Sequence, residues 1–299
     1  MPVTRSTPRV RSALVAVLAV AATSLTSLAG PAAPSYADGP PLGAVLEPSA
    51  ADSFRIATFN ILGSQHTRGP GGWGPGVKRA RMTAKLIRRE GIDVVGMQEV
   101  QSDQLAVLRR KLAGHTIWPG TALGGGGLRL QIAFRNDRFA LLRTGKIITA
   151  FDRQRRPVPW VLLRERTTKR KLYVVNLHNS ARNLEHERDS ATRREIKLVK
   201  KLRARGPSVF AIGDTNEHTE WFCKMAARTD LRAPHGGSAT PKKCTPPPGR
   251  MLIDWIMGGG AFDFTDYGWL SGGLVRRASD HNLVHADVRM RPKVASGLL

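Results

Sequence analysis

No stretch of this 299-residue chain approaches 20 consecutive apolar residues, the length a helix needs to cross a bilayer, so the mature protein is expected to be soluble and not membrane-embedded. Cysteine is almost absent. Cys223 and Cys244 are the whole complement, and because neither follows the apolar run near the N-terminus, no lipoprotein anchor is expected. Acids are scarce as well: 23 Asp and Glu stand against 47 Lys and Arg, a formal net charge of +24. A balance so one-sided points to polyanionic partners such as nucleic acid, anionic lipid or cell-wall polymer, held with a strong salt dependence. An arginine-rich composition with solvated charges over the whole surface accounts for the same numbers. The Gly124 to Gly127 run lacks the Lys-Ser/Thr ending of a phosphate loop and has no helical pattern after it, so it is expected to be a flexible loop. There is no internal repeat.

What is present begins with Arg5, Arg9 and Arg11, followed by an alanine-rich apolar run over 13–22 and then small residues and prolines. This is the pattern of a secretory signal peptide over residues 1–37, cut after Ala37 or nearer Gly30, and it places the mature chain outside the cell. Its removal leaves 44 basic and 23 acidic residues, a net charge of +21. Export also makes a Cys223–Cys244 disulfide the simplest use of the two cysteines, with a two-cysteine zinc site as the lesser option. Residues 38–52 have the composition of a flexible lead-in, 53–292 form one domain, and 293–299 are a short tail.

Within the domain, short apolar runs at 54–62, 93–97, 130–135, 171–177, 209–212, 251–257 and 282–288 predict strands. Helical spacing over 77–90, after an expected Ser102 cap, and around Ile196, Val199 and Leu202 predicts helices between them. Strands mixed with helices and hairpin-like turns predict an α+β layered sandwich.

Five stations carry polar residues that packing alone would not place at strand ends. Asn60 ends Thr58-Phe59-Asn60-Ile61, where an Asn is often a simple turn former. Glu99 follows an apolar strand, and a carboxylate there needs a counter-charge such as Mg²⁺. Asn176 and His178 share a strand face with Val174 by the two-residue period, although a lone His in that setting is usually a satisfied core residue. Asp214 and Asn216 leave a very apolar strand through Gly213: the acid can take a proton from water and the amide can donate to a phosphate oxygen, or the pair forms an ordinary Asx turn. Asp254 shares a face with Leu252 and Ile256 and needs a partner, which Ser279-Asp280-His281-Asn282 can supply. An Asp on a His fixes the tautomer and keeps the ring protonatable.

In this order the stations resemble the endonuclease/exonuclease/phosphatase superfamily, to which deoxyribonuclease I belongs, over about residues 53–290. The resemblance implies a four-layer α/β/β/α sandwich with two central mixed sheets flanked by helices. It also implies roles. Glu99 ligates Mg²⁺, or Mn²⁺ or Ca²⁺, with Asn60 beside it and Asp280 as a further metal-side acid. Asp214 orients or deprotonates the water, Asn216 holds phosphate, His281 with Asp254 stabilises the pentacoordinate phosphorus, and His178 contacts phosphate or assists the leaving group, with Asn176 on the same face as a further substrate contact. Leu62 stands where repair nucleases of the family carry an acid, so no second metal is assumed.

The substrate is read from loops. Arg153, Arg155, Arg156, Arg164, Arg166, Lys169, Arg170 and Lys171 surround Trp160 in sequence, a mixture suited to phosphate contacts and base stacking, or to a solvated charged hairpin. Trp73 between glycines is a lipid-touching tip, a stacking platform or a cover for the core. The leading expectation is an extracellular, monomeric nuclease acting on DNA or RNA. A sphingomyelinase-like or other phosphodiesterase or phosphatase comes second, and a cationic binding module without turnover comes last.

Overall fold

The computed structural model describes residues 52–67, 72–250 and 252–291. The signal peptide, the lead-in up to residue 51, Gly71, Met251 and the C-terminal tail lie outside the described residues.

In chain order the elements are β1 (Ser53–Asn60), α1 (Gly76–Arg89), β2 (Val94–Gln98), α2 (Ser102–Lys111), β3 (His115–Trp118), α3 (Gly124–Leu128), β4 (Leu130–Arg135), β5 (Phe139–Phe151) and β6 (Gln154–Glu165). They continue with β7 (Lys171–His178), α4 (Glu185–Arg203), β8 (Ser208–Asp214), α5 (Glu220–Ala226), β9 (Ser238–Ala239), β10 (Cys244–Thr245), β11 (Asp254–Gly259), β12 (Phe262–Leu270), α6 (Gly273–Ala278) and β13 (Leu283–Met290).

Two large sheets face each other. One runs β12-β13-β1-β2-β4-β3 and the other β11-β8-β7-β6-β5. Both are mixed, because β1 with β2 and β7 with β8 are parallel while their other neighbours are antiparallel. Alternation along the strands sorts the apolar side chains into three layers. Phe54, Ile56, Val94, Ile132, Val174, Phe210, Ile212 and Val284 fill the space between the sheets. Ala57, Phe59, Val95 and Met97 turn outward under α1, α2 and α6, while Val175, Val209, Ala211 and Trp255 turn outward under α4 and α5. Each fully buried Val, Leu, Ile or Phe contributes roughly 1.5–3 kcal/mol by removal from water. The result is the four-layer α/β/β/α sandwich expected from the sequence.

Several local expectations need correcting. Helix α2 is capped by Gln101 and not Ser102: Gln101 and Gln104 exchange side-chain and backbone hydrogen bonds, and Ser102 is already helical. The Gly124–Leu128 stretch is a short helix, α3, where a flexible loop was expected. Gly127 sits against the Pro157 ring of β6, so tertiary contact outweighs the low helix propensity of glycine. The basic segment around Trp160 is a hairpin of two long strands turning at Asp152 and Arg153. It is also not one cluster. Strand β6 is long enough, about 3.3 Å per residue, to carry Arg153, Arg155 and Arg156 some tens of ångströms from Arg166, Lys169 and Arg170.

Cys223 and Cys244 form the disulfide, with Cα atoms 5.6 Å apart and a sequence separation of 21. It ties α5 to β10 at a distance from the polar strand ends. Replacing both cysteines with serine should therefore lower unfolding free energy by about 3 kcal/mol on a loop-entropy basis, read from urea denaturation, while turnover per folded molecule stays within about twofold.

Candidate active site

Strands β7, β8 and β11 end level with one another. His178 is in register with Asp214, and Asp254 with the same Asp214 from the other side. All three continue the inward-facing alternation of Val174, Ile212 and Ile256, so they project into the space between the sheets where the apolar core stops. From the opposite sheet, Asn60 ends β1 in register with Gln98, and Glu99 follows immediately. Five of the predicted residues thus meet at one end of the sandwich, and the segment before β13 brings in the sixth, His281.

The contacts are specific. Asn60 Nδ2 donates to Glu99 Oε1 and to Asp214 Oδ2, both at 3.0 Å, and joins the two sheets. His281 Nδ1 donates to Asp254 Oδ2 at 2.9 Å, and its Nε2 lies 3.6 Å from Asp214 Oδ2. His178 Nε2 lies 3.4 Å from that same oxygen. Ser279 anchors the His281 loop: its hydroxyl donates to Asn60 O at 2.6 Å and accepts from His281 N–H.

Charge follows from this geometry. Burial works against a charged His281, but the carboxylate of Asp254, its hydrogen bond and the nearby Asp214 outweigh that and push the imidazolium up to about 10. His178 is shifted the other way by burial and stays neutral. Burial raises the Asp214 carboxyl, against the opposing effect of the two imidazoles and Asn60. Glu99 is lowered: burial would raise it, but the Gly63 N–H, His178, Asn60 and His66 prevail.

The backbone carries strain in the same place. Leu62, Glu99 and Asn216 have φ of 54°, 63° and 52°, a left-handed conformation costing roughly 1–2 kcal/mol per non-glycine residue and typical of functional sites. Gly213 has φ of 152°, and a Cβ there would stand 2.2 Å from Leu177 O, which explains the glycine before Asp214.

Not every predicted residue faces the cleft. Asn176, expected to touch substrate, is fully buried. It donates to Met97 O and Gln131 O, both at 2.9 Å, and accepts from Gln98 Nε2 at 2.7 Å. Its polar atoms are used between the sheets, where Gly96 leaves room for it: a Cβ at 96 would lie 2.6 Å from Asn176 Oδ1. Asn176→Ala should cost about 2–4 kcal/mol by stranding buried carbonyls, measured by urea denaturation, with little change in turnover per folded molecule. Asn216 donates from Nδ2 to Asn179 O, and its N–H donates to Asp214 Oδ1, so the Asx turn is formed and the side-chain amide is fixed beside Asp214. Asp280 is exposed and accepts only from Ser279 among the described residues.

Sequence reasoning missed two participants, Arg79 and His66, and named a third, Arg156, only among the basic residues around Trp160. Arg79 is fully buried and donates to the carbonyls of Gly74, Ile61, Leu62 and Gly63, pinning the loop after Asn60. Nothing local separates it from its neighbours Lys78 and Arg81. His66 Nε2 lies 3.3 Å from Glu99 Oε2. Arg156 stacks over Phe151 at 4.0 Å, and Phe151 in turn meets the His178 ring at 4.6 Å, which brings a guanidinium to the cleft wall.

The donor set fits a hard divalent cation. Glu99 faces Asn60, Gly63 N–H and His66 with no Lys or Arg paired to it among the described residues, and oxygen ligands of this kind suit Mg²⁺, Mn²⁺ or Ca²⁺. Asp214, Asp254 and His281 also offer atoms within 4.8 Å of one another. We favour Glu99 and Asn60 as the holders, because a protonated His281 has no lone pair to give.

Comparison with known proteins agrees with the fold. A family model described as the endonuclease/exonuclease/phosphatase family matches residues 57–281. An endonuclease/exonuclease/phosphatase family protein from Bacteroides thetaiotaomicron is 19% identical with TM-score 0.63, over 82% of this chain and 99% of that one. TDP2 from D. rerio, complexed with a single strand DNA product, is 17% identical with TM-score 0.62, over 80% and 99%. A mannosyl-6-phosphatase from B. thetaiotaomicron VPI-5482 is 16% identical with TM-score 0.57, over 79% and 99%. No curated protein matches the chain. With the stations lying inside the matched segment and meeting in one cleft, the chain belongs to the endonuclease/exonuclease/phosphatase family, a superfamily of phosphoesterases that generally uses divalent metals.

Proposed function

We propose that this phosphoesterase is a secreted nuclease, dependent on a divalent cation, that hydrolyses phosphodiester bonds of DNA or RNA. The observation that carries the reading is the convergence of Asn60, Glu99, His178, Asp214, Asp254 and His281 at one end of the sandwich. Nucleic acid is favoured over a small ester by Arg156 at the cleft wall and by the net charge of +24. Secretion rests on the composition of residues 1–37.

Glu99 and Asn60 would hold the cation, which when bound would supply Lewis-acid charge to the non-bridging oxygens. Asp214 orients the attacking water and accepts its proton, a task suited to a carboxyl raised by burial. His281, held protonated by Asp254, sets a fixed positive charge where negative charge grows on the equatorial oxygens. Neutral His178 and the Asn216 side chain complete the phosphate pocket.

A specific observation favours a second reading, hydrolysis of a lipid phosphodiester. A hollow of about 700 Å³ beside α1 and α6 is lined by the apolar Trp73 and Met82 together with Arg276 and Arg277. Incubation with plasmid, RNA and sphingomyelin liposomes, each with Mg²⁺ or EDTA, separates the two. Mg²⁺-dependent cleavage of nucleic acid is expected. Cleavage of the lipid alone would overturn the nuclease reading.

A further inference from the structure

On the outer face of the second sheet, away from the catalytic carboxylates, α4 and the hairpin β5–β6 enclose a groove of about 320 Å³. Its walls carry Lys146, Arg194, Lys197, Lys201 and Arg205, with no acid among the lining residues. Trp160 lies within it, half-buried, its ring resting on Gly145 and meeting Tyr173 edge-on at 5.7 Å. Arg194 donates to Ile148 O, while Lys146, Lys197, Lys201 and Arg205 are exposed and make no ion pair among the described residues.

The spacing is regular. Arg194, Lys197 and Lys201 recur at three or four residues, so on α4 they form one stripe about 10 Å long at 1.5 Å per residue, and Arg205 follows in the turn after the helix. Three like charges on one stripe repel one another by a few tenths of a kcal/mol per pair, and no ion pair among the described residues offsets this at Lys197 or Lys201. A row of cations beside a recessed indole matches a chain of phosphates with aromatic bases between them. An anionic membrane fits less well, because a concave site with its ring set back cannot press apolar surface into a bilayer.

We propose that this groove is a second binding site for single-stranded nucleic acid, separate from the catalytic cleft, which anchors a long substrate while a distant phosphate is cut. The proposal shares with the nuclease reading the choice of nucleic acid, but it concerns binding and is measurable without turnover.

The test is the triple variant Lys197→Glu/Lys201→Glu/Arg205→Glu, all surface positions, compared with Arg81→Glu/Lys85→Glu/Arg110→Glu, exposed on α1 and α2 in the opposite outer layer. Fluorescence anisotropy of a labelled 30-mer single-stranded DNA, in EDTA, reads binding. Hydrolysis of bis(p-nitrophenyl) phosphate reads the catalytic cleft. The groove variant is expected to bind at least 10-fold more weakly, with the slope of log Kd against log salt reduced by about two for three lost phosphate contacts, and to hydrolyse the small ester at the wild-type rate. Equal loss in both triple variants would show diffuse surface charge and overturn the proposal, as would unchanged binding in the groove variant. Groove-dependent binding to phosphatidylglycerol vesicles with none to the oligonucleotide would overturn it too. Groove-dependent oligonucleotide binding by a protein that cuts no nucleic acid would sink the nuclease reading and leave the groove standing.

Discussion

His281→Ala should lower kcat/KM on the preferred phosphodiester by about 10³-fold, the combined scale of losing a positioned acid and a fixed charge at the developing oxyanion. The expectation rests on a ring held at 2.9 Å by Asp254 and poised 3.6 Å from Asp214. Alanine also leaves Asp254 buried without its partner, costing about 1–3 kcal/mol of stability, so His281→Gln is the companion: it restores a donor but not a charge. If the charge matters, glutamine recovers stability and not rate. Steady-state kinetics alongside urea melts would show it, and a rate within tenfold of wild type in either variant would remove the assignment.

The same pair sets a pH dependence. His281 is pushed up to about 10 when folded, against about 6.5 when unfolded. Its contribution to stability is therefore complete below about pH 6.5 and is lost as pH rises through about 10. Activity should accordingly persist to mildly alkaline pH, with an acid limb set by Asp214 above the ordinary carboxylate range.

Glu99→Gln is the second large effect expected, a loss of about 10²–10³-fold in kcat at fixed Mg²⁺, together with loss of the cation's thermal stabilisation. Ligand binding to the folded state raises stability by RT ln(1 + [L]/Kd), so an intact site gives about 2.7 kcal/mol at 100 times Kd. Titrating Mg²⁺ while following the melting temperature reads this without any substrate. Wild type should shift upward and the variant should not. Equal shifts in both would place the cation elsewhere, with the Asp214, Asp254 and His281 group the next candidate.

Much of the site was legible because strand periodicity is rigid. Once Ile212 and Ile256 are inward-facing, Asp214 and Asp254 must be too, and a buried acid implies a partner. The same rule failed at Asn176. Periodicity says which face a side chain takes but not how far the opposite sheet stands away, and Gly96 brings that sheet onto Asn176. Long-range contacts explain the other misses. Arg79 is ordinary in its helix and exceptional only because the carbonyls of residues 61–63 converge on it.

The sequence by itself determined the mixed strand and helix pattern, the inward faces of Asp214 and Asp254 and the cationic balance, because these depend on local alternation and on residue type, while the two-sheet architecture followed from the family resemblance. Only the tertiary structure decided which basic residues act together. It split the run around Trp160 between opposite ends of one strand, turned Arg156 toward the cleft, and set Lys146 beside a helix some fifty residues further along the chain. Proximity of that kind is a property of how sheets and helices pack, and no spacing along the chain encodes it.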